Sequence, residues 1–279
     1  MFLKEIPVLL VDDEPDVLAV SKLAMRNFTV YGLPLRIYTA ESKAEAIEVL
    51  EAQPTPETEG GSSIAVVFID VVMETDTAGL ELCQYIRETL GRPAVQLFIR
   101  TGQPGVAPER AVIDRYDING YFTKVEATED KLYSLVKSGA RQAYTFSLAL
   151  RLGGALQALI AASDSREQQA QIHLKIMERW VRDFNSSLIF EDKVIPYGID
   201  EQSLLELRDR LDKQEGTSLS DEGDKYVVEG NHLLIKVAGS ATTAETWYLA
   251  SPHAPPPALF IEMLYRHIRA VATLWKKAK

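Results

Sequence analysis

Cysteine is nearly absent from this sequence: Cys83 is the one thiol in 279 residues. A lone cysteine closes no intramolecular disulfide and provides no thiolate set for structural zinc. Basic charge is also short. Thirty Lys and Arg stand against 40 Asp and Glu, a formal net charge of −10. Non-specific binding to nucleic acid rests on neutralising phosphates, so direct DNA binding is not expected. Long clean apolar runs are missing too. TFSLALRLGGALQALIAAS, from Thr145 to Ser163, is interrupted by Arg151 and Gln157. It reads as a buried or interfacial helix and not as a membrane span. The opening MFLKEIPVLLVDDE has too short an apolar core for a signal peptide. A cytoplasmic protein without membrane insertion is therefore expected.

What is present is an ordinary globular composition, 46% hydrophobic and 25% charged. In the first half two periodicities alternate. IPVLLV (6–11), LRIYT (35–39), IAVVFI (64–69), AVQLFI (94–99) and GYFTK (120–124) read as strands. The nearly continuous apolar runs are those of strands buried on both faces. Between them lie predicted helices starting at Pro15, over 41–52, over 80–90, over 109–116 and from about 128. In the first, Val17, Val20 and Ala24 recur at helical spacing. PTPETEGGSS (54–63) and GQPGVAP (102–108) read as loops. Strand and helix thus alternate five times, which predicts a five-stranded, doubly wound parallel sheet with helices on both faces. Functional groups in such sheets gather at the carboxyl ends of the strands. Asp12 and Asp13, Asp70, Thr101 and Lys124 all fall there.

Taken singly, each of these residues has a plain reading. Asp12 and Asp13 suit a helix N-cap before Pro15, Asp70 and Thr101 suit turns, and Lys124 suits a solvated strand end. Together they make crowded carboxylates that need a cation. At ~4 Å and an effective dielectric of ~20 each carboxylate pair costs about 4 kcal/mol. The donors are all oxygen, which suits Mg²⁺. With the Lys124 ammonium and the Thr101 hydroxyl, the set can hold a phosphoryl group, and Asp70 is the natural nucleophile.

This constellation resembles the receiver domain of two-component response regulators, a flavodoxin-like fold. The likeness rests on VDDE after the first strand, FIDVVME around Asp70, RTG around Thr101 and YFTK at the fifth strand. It implies Mg²⁺ held by Asp12, Asp13, Asp70 and the Val72 backbone carbonyl. It implies phosphorylation of Asp70 by a sensor histidine kinase or phosphotransfer protein. Thr101 would be the switch hydroxyl, Tyr121 the aromatic that turns inward with it, and Lys124 the partner of the phosphoryl oxygens. The sequence departs from the pattern at Glu74 and at Val125, where prolines are common, and in a long gap between Asp13 and Asp70. Val72 and Gln103 flank the site where receivers tune dephosphorylation.

The second half changes pattern. Residues 131–162 read as one long helix or as two broken at Gly153-Gly154. A helix over 167–184 carries Leu174, Met177, Val181 and Phe184. SSLIFED (186–192), a hairpin within DKYVVEGNHLLIKVAG, and ETWYLAS (245–251) read as strands, and 258–275 as a closing helix. This predicts a C-terminal α+β domain that resembles a GAF-like domain of unknown function following a receiver. The expected division is 1–142 receiver and 143–279 GAF-like, joined by a long helix. Relatives of this kind often continue into an HD-GYP phosphodiesterase. No HD-GYP, GGDEF-like, Walker or helix-turn-helix motif occurs, and His173, His232, His253 and His267 are scattered. A non-enzymatic, phosphorylation-switched binding module is expected, acting on a homodimer contact or on an output protein that the sequence does not name. The alternatives are a two-input sensor whose second domain binds a small molecule or nucleotide, and a cyclic di-GMP signalling enzyme cut short.

Overall fold

A computed structural model describes residues 5–53, 64–102, 109–161, 168, 171–172, 175–176, 178, 186–190, 193–239, 245–251 and 258–278. The loops expected over 54–63 and 103–108, most of the helix expected over 167–184, and His173 and His253 lie outside the described residues. The chain forms two compact units that divide between Arg151 and Leu152.

The first unit contains β1 (Ile6–Val11), α1 (Pro15–Met25), β2 (Thr29–Val30), β3 (Leu33–Ala40), α2 (Lys43–Ala52) and β4 (Val66–Asp70). It continues with α3 (Ala78–Gln84), β5 (Gln96–Thr101), α4 (Glu109–Tyr116), β6 (Gly120–Thr123) and, up to Arg151, α5 (Glu129–Ala161). The sheet order is β2-β3-β1-β4-β5-β6. β3, β1, β4, β5 and β6 are mutually parallel, the doubly wound order in which crossovers cover both faces. The expected five strands become six, because β2 pairs antiparallel with β3. Tyr31 and Gly32 both have positive φ (53° and 74°), which makes the two-residue turn a type I′ hairpin. Only two residues of β2 pair, too short a strand for periodicity to register.

β1, β4 and β5 are buried throughout. Alternate residues serve opposite faces. Leu9, Val11, Val67, Ile69, Leu97 and Ile99 join the core under α2, α3 and α4. On the other face Phe68 stacks on Phe98 at 5.5 Å and meets Phe122 edge-on at 6.1 Å. Helix α1 buries Leu18, Ser21 and Met25. This is not the Val17–Val20–Ala24 stripe that the spacing suggests, and Val20 is 67% exposed. Helix α5 runs unbroken through Gly153 and Gly154. No described peptide bond is cis. Past β6, Lys124–Glu126 makes a 3₁₀ turn, where Thr123 and Glu126 form a reciprocal capping box.

The second unit contains β7 (Ser186–Phe190), β8 (Lys193–Ile195), α6 (Glu201–Asp212) and β9 (Thr217–Ser218). It ends with β10 (Lys225–Glu229), β11 (His232–Val237), β12 (Thr246–Ala250) and α7 (Ala258–Ala278). The sheet is antiparallel, in the order β8-β7-β12-β11-β10-β9. Leu204 and Leu211 of α6 pack with Ile189, Val227, Leu234 and Trp247 of that sheet. Among the described residues no helix is long and apolar enough to cross a membrane.

Candidate functional site

Parallel pairing brings the carboxyl ends of β1, β4, β5 and β6 together. Asp70 is the last residue of β4 and lies beside Arg100 of β5, while Thr101 lies beside Thr123 of β6. Asp12 directly follows β1, anchored by its amide to the Ala40 carbonyl at 3.2 Å. One carboxylate oxygen from each of Asp12, Asp13, Glu14 and Asp70 falls within 4.8 Å of the others. Asp12 and Asp70 are buried, whereas Asp13 and Glu14 are exposed.

Lys124 reaches over this cluster from the turn after β6. Its Nζ lies 2.7 Å from Asp70 Oδ2, 2.7 Å from Glu14 Oε1 and 3.1 Å from Asp12. Burial works against the ammonium, but its bonds to Asp70, Glu14 and Asp12 outweigh that and hold its pKa above lysine's usual range. Burial also pushes the Asp70 carboxyl upward; Lys124 opposes this, and the Asp12 charge adds to it. Lys124 likewise lowers Glu14, first by hydrogen bonding and then by charge.

Two residues that the sequence reading did not single out shape the site. Arg100 is 2% exposed. Its Nη2 lies 2.9 Å from Asp12 Oδ2, and its Nη1 donates to Ser21 Oγ at 2.6 Å. A charge at an inward position of a fully buried strand was the available signal. Gly79 is the second. A Cβ there would stand 1.9 Å from the Asp70 carbonyl oxygen, and its own amide donates to the Val71 carbonyl at 3.1 Å. Only glycine lets the start of α3 come this close to the strand end that carries Asp70.

The remaining expected residues fall nearby by position. Thr101 is 1% exposed at the end of β5. Tyr121 is half-buried on β6 and packs against the core, as does Val72, two residues past Asp70. Glu74, in place of a proline, accepts the Lys43 amide at 3.0 Å and so ties the loop after β4 to the start of α2. An anion at a helix N-terminus is electrostatically favourable.

The donor set fits a hard divalent cation. The ligands are all carboxylate oxygens, and four acids against Lys124 and Arg100 leave a formal −2. Asp70 Oδ1 is buried and has no hydrogen-bond partner among the described residues. An unpaired buried carboxylate oxygen is costly, and a cation or a phosphoryl group would relieve it.

No protein-family model matches the chain. The chain is 42% identical over 134 residues to the 3′3′-cGAMP-specific phosphodiesterase 2 of Vibrio cholerae, a match covering 48% of this chain and 24% of that protein. The chain thus spans about a quarter of that relative's length. Among solved structures it resembles a CheY-like response regulator receiver domain protein from Methanospirillum hungatei. That match has 17% identity and TM-score 0.39, covering 50% of this chain and 98% of the other. It also resembles an adenylate cyclase from Rhodopirellula baltica, with 18% identity and TM-score 0.42, covering 51% of this chain and 93% of that one. The expectation of a non-enzymatic chain is corrected by the curated relative, which is a 3′3′-cGAMP-specific phosphodiesterase.

Proposed function

We propose that the first unit, with residues 1–142 as its functional extent, is a response-regulator receiver. It takes a phosphoryl group on Asp70 from a histidine kinase or phosphotransfer protein, and the event governs turnover of a cyclic nucleotide. The observation that carries this is the asymmetry of Asp70: Oδ2 is held by Lys124 at 2.7 Å, while Oδ1 is buried without a hydrogen-bond partner among the described residues. Oδ1 is then the nucleophile. A new O–P bond forms at Oδ1 as the donor's P–N bond breaks, and the histidine nitrogen keeps the electron pair and takes up a proton from solvent. Lys124 stays charged throughout and faces the transferred oxygens, and the Thr101 hydroxyl closes on them from β5. Asp12, Asp13, Asp70 and the Val72 carbonyl would hold Mg²⁺. Bound there, the ion would supply positive charge to the phosphoryl oxygens.

The donor's docking face is a groove of about 300 Å³ along α1, where Val17, Val20, Ala24, Ala127 and Leu132 line it together with the polar Asp16, Ser21, Arg100 and Lys124. Val20 and Leu23 are 67% and 63% exposed on that helix. An exposed apolar strip beside a phosphoacceptor suits a helical partner.

The second unit, taken as residues 143–279, is read as a GAF-like output domain. Its antiparallel sheet packed by α6 supports that reading. The 42% identity over 134 residues to a 3′3′-cGAMP-specific phosphodiesterase supports a place for the chain in cyclic-nucleotide signalling. Acetyl phosphate with Mg²⁺ should retard the wild-type chain on a phosphate-affinity gel and leave Asp70→Asn unretarded. Equal retardation of the two would remove Asp70 from the mechanism.

A further inference from the structure

Arg100 belongs, by strand phase, with Gln96 and Phe98 on a face of β5 that is otherwise sealed. Burying a guanidinium is costly unless it is paired. Its described contacts are the Asp12 carboxylate and the Ser21 hydroxyl of α1, and its Nε is buried with no partner among the described residues. Asp12 is fully used in turn. Its two oxygens accept from the Glu14 amide at 3.1 Å, from Lys124 at 3.1 Å and from Arg100 at 2.9 Å. The Glu14 amide is fixed by the backbone at the start of α1. Lys124 is shared with Asp70 and Glu14. Arg100 is thus the cation whose ionic contact is with Asp12 alone among the described residues.

We infer that Arg100 is a resident counter-cation that competes with a divalent metal ion for Asp12, weakening metal binding and holding the acidic cluster together without metal. The inference rests on the metal reading given above and concerns how tightly that site loads. A divalent ion drawn to Asp13 and Asp70 meets a guanidinium already seated on the neighbouring carboxylate. Like charges at that range repel, and the interior screens them poorly. Metal entry therefore loosens the Arg100–Asp12 pair.

The test is Mn²⁺ binding to the full chain, read by the paramagnetic resonance of free Mn²⁺ and by competition with Mg²⁺. Arg100→Met, which keeps the length and removes the charge, should bind Mn²⁺ about tenfold more tightly than wild type. Removing Arg100 leaves Asp12 with less compensation, so the variant can fail to fold. A second measurement uses wild type alone. The ¹⁵N-detected side-chain Nε signal of Arg100 should shift saturably as Mg²⁺ is added, in step with binding. Wild type that binds Mn²⁺ while the Arg100 signal stays still, or a folded Arg100→Met that binds no more tightly, overturns the inference and leaves the metal site standing. Wild type that binds no Mn²⁺ at millimolar concentration overturns the metal reading, and the inference with it.

Discussion

Each unit buries an aspartate against a cation, and the two arrangements differ in how fully its oxygens are used. In the second unit Asp224 Oδ1 accepts the Ala238 amide at 2.7 Å, and Oδ2 accepts the Tyr265 hydroxyl at 2.7 Å and the Arg269 guanidinium. Both oxygens are satisfied, and the result is a staple between the 220–224 loop and α7. In the first unit Asp70 Oδ2 is held by Lys124, and Oδ1 has no hydrogen-bond partner among the described residues. An aspartate beside a cation is thus a fastener in one place and, on the function proposed above, a phosphoacceptor in the other; what separates the two is the saturation of the carboxylate.

Exchanging the two aspartates for asparagine tests that contrast most severely. Asp70→Asn should abolish labelling by acetyl phosphate while the thermal transition of the first unit is kept. Asp224→Asn should keep full labelling and cost the second unit about 2–4 kcal/mol, read as an earlier denaturant midpoint. Labelling lost in Asp224→Asn, or kept in Asp70→Asn, would break the comparison.

Gly79→Ala comes next. The added methyl collides with the backbone of Asp70 itself. About 1–3 kcal/mol of destabilisation is expected, with labelling slowed beyond what the unfolded fraction explains. Labelling at the wild-type rate in the folded variant would mean that the strand end tolerates displacement.

A smaller effect tests the second unit through pH. Burial pulls the His267 pKa down to about 3 from its ordinary value near 6.5. The folded state therefore binds fewer protons than the unfolded state between those values. Its contribution is fully present above pH 6.5 and falls as pH drops, by up to ~1.4 kcal/mol per pH unit. His267→Gln should flatten that part of the stability profile, measured by urea unfolding from pH 7 to pH 4. A wild-type slope retained in the variant would assign it to carboxylates.

The smallest expected signal is in the first unit. Cys83 is buried, and burial pushes its thiol up to about 12. A thiol reagent should leave the native chain unmodified and react fully only in denaturant. Rapid native labelling would mean that α3 opens locally.

The sequence was most legible where local pattern decides the outcome. Apolar runs ending in Asp12, Asp70 and Lys124 marked both the strands and the edge where they converge. It was least legible where pairing crosses long separations. Arg100 meets Asp12 across 88 positions, and Asp224 meets Tyr265 across 41, so neither leaves a short-range trace. Helix α6 went unread, as did the short edge strands β8 and β9, which have too few inward residues to show a period. The buried stripe of α1 was misjudged because Ser21, polar by type, turns inward to meet Arg100. Gly79 looks like any loop glycine until the Asp70 carbonyl is placed against it.

The hairpin at Tyr31-Gly32 has a consequence of its own. An exposed sheet edge is an invitation for another chain to add strands. Here β2 pairs with β3 only at Leu33 and Pro34, so β3 from Leu35 to Ala40 has no outer strand partner among the described residues, and on the other side β6 has four residues. The hairpin blunts only the start of that edge, and the six residues beyond it are where another strand would pair with the first unit.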